Sequence, residues 1–442
     1  MTLESNSWRS RIAGFFATDK PLYILLLVVL LERLIYVYAF GNSGMTVSDS
    51  WGYYDSGIQF AKTGRITYLG YTTALIMPGI TVLIGLLAMV FEEGEALLGA
   101  ISFVWIIFGT LTPYFMYKAA NVFLPKHFSL LAVIPYLLPS YVGISCHLLT
   151  EGPFYMFFAM AMYYLFKVGK DGKTRDTVLF GIAVLGAMLF RANVLMFAGF
   201  ALVYLMILKK YSWRELAKKT AVVAAILMLF ILPWTIRNFH HFNDFIPVTY
   251  GMGNPVFEGT YFGDLCPVDD KIDMSVPQAM FKEEYAHYYD EKGEIRNPDL
   301  TQYLLHMETG IAADYRISQW LKLDPQNFLS TYLLVKPRLI LNWAWYYDEI
   351  MGIGYGLIHS LRLINCLMCA AAIPLCLITK KLRKQTLFLG AAYGISLLSV
   401  AYALPIDRYA ETIMPYRFLM ACFAVYMAWE LWKTMTKKLR KE

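Results

Sequence analysis

An otherwise apolar chain places two aspartates six residues apart, Asp49 and Asp55, in the stretch VSDSWGYYDSG (Val47–Gly57), with Trp51, Tyr53 and Tyr54 between them. A carboxylate within hydrogen-bond reach of a hydroxyl can take its proton and act as a general base. The run from Tyr53 to Lys62 is expected to form an amphipathic helix in a membrane interface, aromatics toward lipid and acids toward water or a cavity. On composition alone the stretch reads first as an interfacial aromatic belt with solvated charges. Any functional reading therefore needs residues from elsewhere.

Those residues stand at the ends of apolar runs. Glu151 in HLLTEGPF, Arg191 in LFRANVL, Arg237 in PWTIRNFHHF and Arg408 in IDRYAETIMP each lie at or inside an apolar boundary, where a charge costs ~2.5–3.5 kcal/mol and usually has a partner or a task. Singly, each reads as a salt bridge or a snorkelling side chain. Together, several arginines opposite acids at one level suggest a cavity for an anionic head group, because guanidinium matches phosphate oxygens bidentately. His240 and His241 are adjacent and so point in different directions on a helix, which argues against a two-histidine metal site. The chain has no P-loop, no GxGxxG and no GxSxG, so nucleotide chemistry has no anchor.

The elements that must position these groups are membrane helices. Of 442 residues, 58% are hydrophobic and 16% charged, which excludes a set of soluble domains. Apolar runs recur at Pro21–Phe40, Ala74–Phe91, Gly99–Tyr117, Phe128–Ser145, Pro153–Val168, Thr177–Leu208, Ala217–Ile236, Gly352–Ile378, Thr386–Leu404 and Ile413–Trp432. Lipid offers no hydrogen-bond partner, so each span must close its backbone bonds internally as a helix. The expectation is an all-α polytopic membrane protein with ten or eleven spans, Thr177–Leu208 being one tilted helix or two short ones. The six cysteines, including the CLMC at Cys366 and Cys369, read as small buried hydrophobes. The first apolar run is too long for a cleavable signal and reads as a retained helix.

Lysine and arginine collect at Trp8–Arg11, Lys209–Lys219, Lys380–Lys384 and the C-terminal tail, short segments beside spans that the positive-inside rule makes cytoplasmic. The net charge of +6 is thus placed for a bilayer and carries no nucleic-acid signature. Between Phe239 and Ile350 there are 17 Asp plus Glu against 8 Lys plus Arg, so this segment is expected on the opposite face. Three parts follow: a transmembrane module over 1–238 with its first outer loop at 41–73, an acidic extracytoplasmic segment over 239–350, and C-terminal spans over 351–442. Within the outer segment FKEEYAHYYDEKGEIRNPDL reads as a surface helix followed by a turn at Asn297 and Pro298. YAHYY and NWAWYYDE are aromatic enough to stack on sugar rings or to pack on the bilayer surface.

The ordered set of motifs resembles the GT-C class of membrane glycosyltransferases, in particular their protein-mannosyltransferase-like bacterial branch. It begins with SDSWGYYDSGIQFAKTGRITY, with the aspartate and a tyrosine a turn later, and with MPGI opening the next span. LLTEGPFYMF, LFRANVL, the LPWTIRNFHHF stretch and DRYAETIMPY continue it. The resemblance implies transfer of a sugar from a polyprenyl-phosphate carrier to a hydroxyl of a glycan, lipid or protein acceptor, in the plasma membrane and on its extracytoplasmic face. It implies Asp49 as the base and Tyr53, Asp55, Glu151, Arg191, Arg237, Asn238, Arg408 and Tyr409 as substrate-binding groups. A single displacement with one carboxylate at the reacting centre would invert the anomeric configuration. A divalent metal ion is the one cofactor the resemblance brings into view. Many relatives carry a second acid beside the first-loop aspartate, whereas Ser50 occupies that place here, leaving a metal at Asp49 with one carboxylate.

Two other readings use the same charges. A transporter or flippase of a lipid-linked saccharide would use them as a translocation path, yet the chain has no internal repeat of the kind such proteins show. A catalytically inactive relative acting as a scaffold is the third.

Overall fold

The computed structural model describes residues 2–262, 266, 268–342 and 354–440. Apart from one two-stranded hairpin and an isolated bridge, the described residues are helices and their connections. The helices used below are α1 (Thr2–Ala17), α2 (Lys20–Phe40), α3 (Ser50–Thr63), α4 (Gly79–Ala88), α5 (Glu95–Asn121), α6 (Pro139–Cys146), α7 (Glu151–Asp171) and α8 (Thr174–Met188). They continue with α9 (Val194–Leu208), α10 (Trp213–Phe242), α11 (Gly253–Gly259), α12 (Thr301–Leu323), α13 (Tyr355–Thr379), α14 (Arg383–Tyr402), α15 (Asp407–Glu411) and α16 (Met414–Leu439). Strands β1 (Thr67–Tyr68) and β2 (Tyr71–Thr72) pair antiparallel.

Five helices, α2, α5, α10, α13 and α14, are long and apolar enough to cross a bilayer by length and composition. Helices α7 and α16, of 21 and 26 residues, are long enough as well. Two expected spans are not single helices. Phe128–Ser145 breaks into a four-residue helix, two 3-10 turns and the eight-residue α6, because Pro135 and Pro139 each lack a backbone N–H and disfavour helix at the residue before them. Irregular backbone at this depth is tolerated where protein covers it, and Leu130, Ala132, Val133 and the whole of α6 are buried. Ala74–Phe91 yields only the ten-residue α4, about 15 Å long and half a hydrocarbon core.

Thr177–Leu208 resolves into two helices, α8 and α9, separated at Leu189–Asn193. With two passes there, the lysine-rich junctions at α7–α8, α9–α10 and α13–α14 all fall at one end of the bundle. The α8–α9 break, α3 and α15 fall at the other.

Expectations for the segment after α10 need adjusting. The turn at Asn297 forms, the Asn297 side chain accepting from Asp299 N–H. Helix, however, occupies only Ser275–Glu284; the chain then runs through a 3-10 turn and a bridge between Tyr289 and Ile295. The YAHYY aromatics are partly engaged within the protein: Tyr285 and Tyr288 pack with Tyr303, and the Tyr288 hydroxyl donates to the Phe242 carbonyl. The NWAWYYDE stretch falls almost wholly at 343–353, outside the described residues. All six cysteines are free.

The α8–α9 break is locked to the rest of the bundle by one backbone bond, Gly79 N–H to the Leu189 carbonyl at 2.7 Å. A Cβ on Gly79 would meet that same carbonyl oxygen at 2.4 Å, so the backbone would have to part. Gly79→Ala is expected to cost ~1–3 kcal/mol and to lower the melting temperature of the detergent-purified protein. Gly199→Ala, in the middle of α9 with nothing within 4 Å, should be stabilising by ~0.5–1 kcal/mol. Equal shifts for the two would contradict the close approach.

Candidate functional site

Arg408 is the hub of the site. It stands on the five-residue α15, and its guanidinium makes three long-range bonds: Nη1 to Asp49 Oδ2 at 2.5 Å, Nε to Glu151 Oε1 at 2.5 Å, and Nη2 to the Tyr53 hydroxyl at 3.3 Å. Arg191, on the α8–α9 break, donates from Nη1 to the same Glu151 oxygen at 2.5 Å and to Thr150 Oγ1 at 3.2 Å. Its guanidinium lies 5.3 Å from the centre of the Tyr409 ring.

Local sequence explains each placement. Asp49 is the N-cap residue of α3, a position where aspartate usually caps the first turn. Its side chain makes no capping bond and reaches Arg408 instead. Ser50 is buried with its hydroxyl turned back on Val47, so it adds no ligand beside Asp49. Glu151 is the first residue of α7, where the helix dipole favours a negative charge. It is fully buried, and Thr150 Oγ1 donates to its second oxygen at 3.2 Å.

Two carboxylates face two guanidiniums, so the cluster is close to neutral. Exposure separates the acids: the Asp49 side chain is 41% exposed and that of Glu151 is 0%. Burial would depress Arg408, but Glu151, then Tyr53 and Asp49, outweigh it and hold the guanidinium raised and charged. Burial, ahead of the nearby charges, pushes the Tyr53 phenol up to about 12, so it remains a neutral hydrogen-bonding group.

These residues open onto a cavity of ≈380 Å³. One wall carries Asp49, Tyr53, Arg191, Arg408 and Tyr409; the segment after α10 supplies Asn254 from α11 and His306 from α12. Burial lowers the His306 imidazole, and its Nδ1 has no hydrogen-bond partner among the described residues.

The structure thus brings together Asp49, Tyr53, Glu151, Arg191, Arg408 and Tyr409, and leaves three expected site residues apart. Asp55 is exposed on another face of α3 and does not line the cavity. Arg237 binds the backbone carbonyls of Thr73 and Ile66 at 2.7 and 3.2 Å and lines a different cavity with Arg65, Trp234 and His241. Asn238 is fully buried, its amide donating to the Ile246 carbonyl at 2.8 Å. Asn254 and His306 line the cavity from a segment without a recognisable motif, and no sequence signal marks them. The donor set does not suit a metal: among the described residues no three His, Cys, Asp or Glu side chains converge, and Asp49 is committed to Arg408.

Residues 68–236 match the family model described as dolichyl-phosphate-mannose-protein mannosyltransferase. No curated protein sequence matches the chain. The fold is similar to that of the archaeal oligosaccharyltransferase AglB from Archaeoglobus fulgidus in complex with an inhibitory peptide and a dolichol-phosphate. The TM-score is 0.52 at 13% identity, over 95% of this chain and 52% of that one. The apo form of the A. fulgidus oligosaccharyltransferase gives a TM-score of 0.54 at 12% identity, over 96% of this chain and 53% of that one. A looser likeness, TM-score 0.43 at 12% identity over 93% and 78% of the two chains, is to ArnT from Cupriavidus metallidurans bound to undecaprenyl phosphate. The chain spans about half the length of the oligosaccharyltransferases. The fold is therefore similar to that of these oligosaccharyltransferases.

Removing one partner of a buried ion pair leaves the other charge uncompensated, at ~3–5 kcal/mol. Glu151→Gln leaves two guanidiniums without the negative charge they share and is expected to lower thermal stability well beyond Asp49→Asn, because the Asp49 carboxylate is partly solvated. Similar melting temperatures for the two variants would contradict Glu151 as the anchor of the cluster.

Proposed function

We propose that this protein is a glycosyltransferase that moves a sugar from a polyprenyl-phosphate donor to an acceptor hydroxyl, in the plasma membrane and on its extracytoplasmic face. The observation that carries the reading is a single guanidinium, Arg408, bonded at once to an accessible acid and to a buried one beside a second arginine. The family match over 68–236 and the fold support the class of chemistry. The clustering of lysines at the opposite end of the bundle supports the sidedness.

In this reading Asp49 is the general base. Its Oδ2 is held by Arg408, with the Tyr53 hydroxyl at 3.5 Å, while Oδ1 is left to accept the acceptor's proton. The acceptor oxygen attacks the anomeric carbon, the bond from that carbon to the phosphate oxygen breaks, and the phosphate gains a negative charge as the lipid leaves. Arg191 is the freer guanidinium, because only its Nη1 is occupied, and it presents its remaining N–H groups to the phosphate. Arg408 responds to the chemistry. When Asp49 takes the proton, the charge balancing Arg408 disappears, and its positive charge becomes available to the leaving phosphate in a water-poor pocket, where such stabilisation counts most. Glu151 stays ionised between the two arginines and positions them. Attack from the Asp49 side in one displacement inverts the anomeric configuration. The donor's tail requires the cavity to communicate with lipid; the acceptor, a glycan, lipid or protein, would enter past Asn254 and His306.

Purified protein given polyprenyl-phosphate sugars should release polyprenyl phosphate, and Asp49→Asn should reduce that release ~10²–10⁴-fold, the usual contribution of a positioned base. Equal release by both proteins would remove Asp49 from the role. Movement of the intact lipid across vesicles without release would favour a flippase.

A further inference from the structure

A second cavity of ≈320 Å³ lies on the far side of α15 and shares no lining residue with the first. Its walls are apolar: Ile134 and Leu138 from the broken segment, Ile358 and Met368 from α13, and Phe418 and Val425 from α16. Ile134 and Ile364 at its edge are about half exposed, at 50% and 51%, on spans whose outward faces meet lipid, so the groove opens sideways into the bilayer.

One end of the groove is polar and unbalanced. Arg417 is fully buried; its Nε donates to Asn365 Oδ1 at 3.1 Å and its Nη2 to the Arg362 carbonyl at 3.0 Å and to Cys366 Sγ at 2.6 Å, while among the described residues Nη1 makes no hydrogen bond. The Tyr393 phenol lies beside the guanidinium as a neutral neighbour and supplies no counter-charge. Ser140, on the same lining, is buried with its hydroxyl unpartnered. Among the described residues no carboxylate pairs with Arg417: the nearby Glu411 is taken by Arg362 and by the Tyr141 hydroxyl. A buried cation without a counterion is costly, and its free donors call for acceptor oxygens carrying negative charge.

We propose that this groove binds a bilayer phospholipid of net negative charge, its phosphate on Arg417 Nη1 and Ser140 and one tail running along α16 toward Val425. Arg417 and Ser140 lie near the α15 end of the spans, the depth of a headgroup, and the groove deepens from there toward mid-membrane. The site also touches the machinery of the proposed reaction. Arg362 and Tyr141 line the groove and hold Glu411, which shares α15 with Arg408. A bound phospholipid would fix the turn that carries Arg408. This last step rests on the function proposed above; the binding does not.

Delipidated full-length protein would be treated with a photoreactive phosphatidylglycerol and the labelled peptides mapped. Labelling is expected in 358–368 and 414–425. It should fall at least tenfold in Arg417→Gln and in Ala421→Phe, which fills the groove and leaves the arginine in place, both compared at equal melting temperature to the parent or corrected for the folded fraction. A diacylglycerol probe with the same tails and no phosphate should label at least tenfold less. Labelling elsewhere only, or labelling unchanged in both variants, would overturn the site. Displacement of the probe by polyprenyl phosphate at lower concentration than by unlabelled phosphatidylglycerol would assign the groove to the carrier lipid and overturn the phospholipid. Both outcomes are read without turnover, so they stand apart from any failure of the glycosyltransferase reading.

Discussion

The architecture of the site depends on two carboxylates sharing one guanidinium. Asp49, Glu151 and Arg408 come from the first loop, the start of α7 and the short α15 near the end of the chain, and they meet only because Arg408 bridges them. A buried guanidinium is tolerated only if its charge is compensated, and here Glu151 compensates it without solvent. Asp49 contributes to the same balance from a partly exposed position on the cavity wall. This difference in exposure sets the two acids apart: Glu151 is enclosed with the cations, and Asp49 is open to solvent.

Breaks in helices make the arrangement possible. Arg191 sits where α8 ends and α9 begins, Arg408 in a one-turn helix between two spans, and Asp49 at an unused cap. Continuous spans would project these side chains into lipid or into helix packing. The broken segment over 128–146 lets protein cover irregular backbone at membrane depth and also forms one wall of the groove behind α15. The groove and the site are thus two sides of one turn, with Arg408 facing one and Glu411 held at the other.

Much of this was legible in the sequence. A charge at the edge of an apolar run is expensive enough to advertise itself, and that rule alone found Glu151, Arg191 and Arg408. It also selected Arg237, which the structure places apart from the cluster, because the rule reports cost and not partner: that arginine donates to the backbone carbonyls of Thr73 and Ile66. Asp55 was drawn in by proximity, yet six residues of helix turn through about 600°, which carries it off the face that Asp49 opens. His306 and Asn254 carried no signal, since an imidazole and an amide in a polar segment cost nothing to place. Arg362 and Arg417 were discoverable by the same rule of charge among apolar residues. Phe128–Ser145 is not a single helix; hydropathy registers apolar content and is blind to the missing N–H groups of Pro135 and Pro139.

The central claim is that Asp49 and the two arginines face one reacting centre from opposite sides. A structure of the protein with a polyprenyl-phosphate sugar bound tests it most directly. Phosphate oxygens are expected within ~2.7–2.9 Å of Arg191 and Arg408 nitrogens, the distance of charge-assisted bonds, with the Asp49 carboxylate on the other side of the anomeric carbon. A phosphate seated beside Arg65 and Arg237, or an Asp49 turned away from the sugar, would contradict it.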